Sequence, residues 1–140
     1  MNARGNFLAA LAVVFTLAAG HALAAAPKAA TVEILAMPHP PVKMALAPLR
    51  EWLAAQGHKL KLVETDVESP QGKKRLAAVG LDGHVPIVIL IDGQYRHKRK
   101  DGATLEFMNF PAIEGAPPGV RGKWTTADVQ AVLTERMKQR

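Results

Sequence analysis

Five consecutive apolar residues, Ile87-Val88-Ile89-Leu90-Ile91, run between Val85-Pro86 and Asp92-Gly93. That is too short for an ordinary helix and predicts a strand buried on both faces. Pro86 has no N–H to give to a ladder, so it fits only the first residue of a strand or an edge. Asp92-Gly93 supplies a turn in which the glycine can take positive φ. The Val85–Pro86 bond is a candidate for a rigid cis turn.

The pattern changes period on either side. Thr31 to Ala36 alternates, with Val32, Ile34 and Ala36 on one face, and predicts a first strand. Met37-Pro38-His39-Pro40-Pro41 is a proline-stiffened loop, and Pro41 suits the first turn of a helix, where a missing N–H costs nothing. Apolar residues at 42, 45, 46, 49, 52 and 53 then give the stripe of a helix from Val42 to Gln56. Pro48 should kink it and Gly57 should end it. Lys59 to Val67 alternates again as a second strand. Ser69-Pro70 opens a short helix reaching Val79, with Ser69 as N-cap, and Gly80 closes it.

After the apolar run, Tyr95–Lys100 and Ala103–Met108 form a predicted hairpin around Asp101-Gly102. Prolines 111, 117 and 118 and glycines 115, 119 and 122 keep 109–124 as loop. Thr125 caps a last helix toward Met137, with Asp128 as capping-box partner and Val129, Val132, Leu133 and Met137 as its apolar face. Two strand–helix units followed by a hairpin and a helix define an α/β protein, a small mixed sheet with helices on both faces.

The first 25 residues have a different character. A polar start containing Arg4 precedes an apolar run from Phe7 to Ala19 and the small-x-small pattern Ala22-Leu23-Ala24. We read 1–25 as a cleaved secretory leader and 26–140 as one domain, periplasmic or secreted. No later stretch is long and apolar enough to span a bilayer. With Arg4 removed, the formal charge of +6 becomes +5, which favours anionic partners in general but is too small to argue for nucleic acid. The chain contains no cysteine, which excludes disulfide staples and every thiol-based chemistry.

Several stretches together resemble the thioredoxin/glutaredoxin superfamily over nearly all of 26–140. Val42-Lys43-Met44-Ala45-Leu46-Ala47-Pro48-Leu49 is similar to the first long helix of thioredoxins with its internal proline. Thr65-Asp66-Val67-Glu68-Ser69-Pro70 resembles the approach to their second helix. Gly80 to Pro86, followed by Ile87 to Gly93, is similar to their cis-proline segment and next strand. The resemblance implies a thioredoxin-like fold, a cis Val85–Pro86 bond, and a surface that grips a polypeptide or glutathione. The departure is at the redox motif. Where the family places Cys-x-x-Cys, this chain has Met37-Pro38-His39-Pro40-Pro41-Val42. Thiol–disulfide exchange requires a thiolate, so the oxidoreductase activity cannot be carried over.

What remains is a candidate binding surface: Pro38, His39, Pro40 and Pro41 in the first loop, with His84, Val85 and Pro86 across from them. The expected role is a non-catalytic module for an envelope protein, peptide or small ligand. Two alternatives stand beside it. Met37 and His39, with Met44 and His84 nearby in sequence pattern, offer soft ligands for copper, although Met44 on an apolar helix suits core filling. A cysteine-free glutathione-binding enzyme is the other. Arg96-His97-Lys98-Arg99-Lys100 could dock phosphate or an acidic partner, but such runs more often form a solvated, edge-protecting strand. Trp52 falls on the helix's apolar stripe, and Trp124 is placed to staple the last helix. No Ser-His-Asp, paired-carboxylate, phosphate-loop or zinc spacing rises above chance.

Overall fold

The computed structural model describes residues 28–140, and the predicted leader lies outside them. Strand β1 (Ala30–Ala36) is the centre of a three-stranded sheet, parallel to β2 (Leu60–Asp66) and antiparallel to β3 (Ile87–Ile91). Every residue of β3 is buried, as its unbroken apolar run requires. The hairpin forms from β4 (Arg96–Lys98) and β5 (Thr104–Glu106). Beyond β5 the chain turns onto the sheet. Met108 bridges Val88, the Ile89 N–H donates to the Phe107 carbonyl at 2.9 Å, and the Asn109 N–H donates to Ile87 at 2.8 Å. Residues 107–109 thus form a short fourth row beside β3.

Three helices cover the sheet: α1 (Pro40–Gln56), α2 (Pro70–Ala78) and α3 (Thr126–Lys138). Two ion pairs assign α1 and α2 to opposite faces. Arg50 of α1 donates to Glu64 at 2.7 Å, and Glu64 shares a face with its partner Ile34. Arg75 of α2 makes a bidentate bond to Glu33, at 2.6 and 2.7 Å, on the other face. That bond raises the guanidinium's pKa further above its ordinary value. The chain is therefore a mixed α/β protein built on a small mixed sheet. No described helix is long and apolar enough to cross a membrane.

Local signals behave as their chemistry dictates. Ser69 Oγ accepts from Gly72 N–H at 3.0 Å, and the Thr125–Asp128 capping box is complete. Gly72 permits the close approach of α2 to the strand end before it; a Cβ there would lie 2.1 Å from the Asp66 carbonyl oxygen. Helix α1 begins at Pro40, two residues before the predicted Val42, because prolines are tolerated in a first helical turn. It also continues through Pro48 to Gln56.

Three expectations are corrected. The Val85–Pro86 bond is trans, and the described residues contain no cis peptide bond. The Pro86 carbonyl accepts from Met37 N–H at 2.9 Å, extending the β1–β3 ladder by one step, and the intrinsic trans preference of X-Pro is left unopposed. Met44 is 76% exposed rather than core, because it lies off the Val42–Leu46–Leu49–Leu53 stripe. Within the basic run, His97 is buried among otherwise exposed neighbours, because alternation along β4 turns it toward Leu105 and Phe107.

Candidate functional site

The ends of three strands meet at one edge of the sheet. Val67 N–H donates to Ala36 at 3.1 Å, and Met37 N–H donates to Pro86. The chain leaves β1, the proline loop follows, and α1 starts immediately. His39 is the N-cap of α1, with extended backbone (φ −85°, ψ 147°), and its carbonyl accepts from Lys43 N–H at 3.0 Å. Its imidazole does not cap the helix. It turns aside, with Nε2 3.3 Å from a carboxylate oxygen of Glu68. That contact links the start of α1 to the segment before α2.

A groove of about 190 Å³ opens between this loop and the segment before β3. Met37, His39, Pro41 and Val42 form one wall, and His84 and Pro86 form the second. The third wall is Phe110, Pro117 and Val120. A neighbouring hollow of similar size shares Met37 and His84 and continues past Val85 toward Glu68 and Lys73. Of the residues chosen from sequence, the structure brings His39, Pro41, His84 and Pro86 to one groove, with Val85 on the adjoining side. Pro38 and Pro40 are exposed at the loop and line neither hollow.

Among the described residues, neither the N–H nor the C=O of Val85 has a protein hydrogen-bond partner. Backbone groups inside a protein are ordinarily paired, which makes this pair beside the groove the exception. Val85 as a whole is 7% exposed and lines the neighbouring hollow. The groove's third wall is the part that sequence reasoning missed. The 109–124 loop carries no periodicity, yet it is a closed structure. Phe110 N–H donates to Val120 at 2.8 Å, Gly122 N–H donates to Phe110 at 2.6 Å, and Ala112 N–H donates to Trp124 at 2.7 Å. The only signal available was an isolated Phe and Val within a Pro/Gly-rich loop. Glu68 lay within the stretch compared with thioredoxins but had no assigned role.

The copper alternative is placed differently by its parts. Met37 is 5% exposed and lines the groove with His39 and His84, whereas Met44 points to solvent. No cluster of three or more His, Cys, Asp or Glu with metal-ligand placement occurs among the described residues.

No family model, curated protein or solved structure matches this chain.

Proposed function

We propose that this chain is a thioredoxin-like, non-catalytic binding module of the cell envelope, holding an extended polypeptide segment in the groove between the proline loop and Val85-Pro86. Support for the fold comes from strand order and direction: β2 parallel to β1, β3 antiparallel, and a further row beyond β3. The observation that carries the function is the unpaired Val85 backbone beside the apolar groove. A cavity near 190 Å³ falls below the roughly 300–1,000 Å³ typical of sites that enclose a small molecule. It suits one apolar side chain of a strand whose backbone pairs with Val85, as in β-augmentation. With no cysteine in the chain, such a module binds without exchanging disulfides.

Selection of extended peptides on the full-length chain tests this reading. Bound peptides should shift the Val85 amide resonance, and Val120→Glu, which puts a charge in the groove wall, should weaken binding at least tenfold. Peptides that bind equally well to Val120→Glu would reject it. A copper site is the second reading, favoured by Met37, His39 and His84 facing one groove. Stoichiometric Cu(I) binding lost in both Met37→Ala and His39→Ala would establish it in place of the peptide reading.

A further inference from the structure

A larger cavity lies elsewhere, about 530 Å³ between β4 and α3, and its volume is in the range of small-molecule sites. Its α3 wall is one helix stripe containing Ala131, Val132 and Arg136, and Leu105 supplies apolar surface from β5. His97, only 7% exposed, forms part of the floor. Its ring stacks on Phe107, with centroids 5.1 Å apart, and its Nε2 lies 2.8 Å from the Gln94 carbonyl oxygen. A carbonyl can only accept, so Nε2 carries the hydrogen and Nδ1 holds the lone pair in the neutral ring. Nδ1 has no protein partner, and no described buried side-chain nitrogen or oxygen is left unsatisfied. Nδ1 is therefore not sealed from solvent, and His97 lines this cavity.

The charges around this floor are unevenly compensated. Asp128 is occupied by the Thr125 capping box, Glu135 by Lys138 at 3.2 Å and Lys100 at 3.8 Å, and Arg99 by Asp101 at 2.6 Å. Lys98 and Arg136 line the cavity without an ion-pair partner among the described residues. An apolar wall beside two unneutralised cations and an inward-set imidazole suits an amphipathic anion. Asp128 and Glu135 at the rim oppose a dianion more than a monoanion. We propose that the cleft between β4 and α3 binds a small organic monocarboxylate, its apolar body against Leu105, Ala131 and Val132 and its carboxylate toward Arg136 and His97.

Protonation of His97 adds a third cation to the floor. Burial holds its pKa below the ordinary value of 6.5, with the Arg136 charge also lowering it; the Gln94 carbonyl and the Asp92 carboxylate act in the opposite direction. Lys98, Arg99 and Lys100 from the hairpin, and Asp128 and Glu135 from α3, complete the charged surroundings. A carboxylate stays ionised down to about pH 4–5. Affinity should therefore rise as pH falls below 6.5.

Benzoate titrated into the full chain, followed by NMR, is the test. Saturable shifts are expected at the His97 ring and at the Leu105 and Val132 methyls, with tighter binding at pH 5.5 than at pH 7.5. Arg136→Gln should weaken binding about tenfold, the value of one charge-assisted hydrogen bond, whereas Glu51→Gln on the exposed face of α1 should leave it unchanged. Equal binding of benzyl alcohol, tighter binding of inorganic phosphate, undiminished binding by Arg136→Gln, or shifts that never saturate would each overturn the proposal.

Discussion

His97 is the only histidine, lysine, arginine or carboxylate in the buried core of the described residues. Its folded-state pKa is depressed, chiefly by burial, so the unfolded chain takes up a proton first as pH falls. Stability from this site is complete above about pH 6.5 and declines below it, until the folded state also protonates. Urea denaturation at pH 8 and pH 5 should show lower stability at pH 5. His97→Gln should flatten that dependence, because an amide can still donate to Gln94 but does not titrate. An unchanged pH slope in the variant would remove His97 from the account. The residue was legible only as a member of a basic run. Its inward direction follows from strand alternation, in which Arg96 and Lys98 take the solvent side and Arg96 pairs with Glu106 at 2.7 Å.

At the scale of elements, α1 carries the clearest local conflict. Pro48 sits inside a 17-residue helix, where it removes the N–H that would bond to the Met44 carbonyl. It is exposed, so its ring contributes little packing. Pro48→Ala should therefore stabilise the chain by about 1–3 kcal/mol, the helix-propensity gain less the entropy that proline removes from the unfolded chain. Chemical denaturation checks this, and a destabilised variant would mean that Pro48 is needed to fit α1 to the sheet. Periodicity reveals α1, α3, β1 and β3, which bury one face or both, whereas α2 is marked by its Ser69-Pro70 start and the hairpin by Asp101-Gly102. Strand β2 is legible from alternation although only its Leu60 is buried. Periodicity did not reveal the groove. His39 and Pro86 could be paired only through the family resemblance, and the inference of a cis bond drawn from that resemblance fails here, since the ladder step from Met37 to Pro86 forms with a trans bond. Phe110, Pro117 and Val120 reach the site through a loop closed by its own backbone bonds, which have no period to detect.

For the molecule as a whole, Trp124 connects the loop to the sheet. It is fully buried, its Nε1–H donates to the Met108 carbonyl at 3.0 Å, and its ring meets Phe107 edge-on with centroids 6.0 Å apart. Phe107 and Met108 belong to the row that adjoins β3, and Phe107 also stacks on His97. One side chain thus fastens the 109–124 loop, and with it the Phe110–Val120 wall of the groove, to the row beside β3. Trp124→Phe keeps an aromatic edge but loses the hydrogen bond, leaves the Met108 carbonyl without that donor, and removes volume. The cost should be about 1–3 kcal/mol. Because the loop holds one groove wall, the variant should also bind groove-selected peptides more weakly under conditions where it remains folded. The amides of Gly122 and Ala112 should exchange faster with solvent, while those of Ile89 and Leu90 in β3 stay the slowest. Loss of stability with unchanged exchange at Gly122 and Ala112 would show that Trp124 supports the core alone and that the loop holds its wall independently.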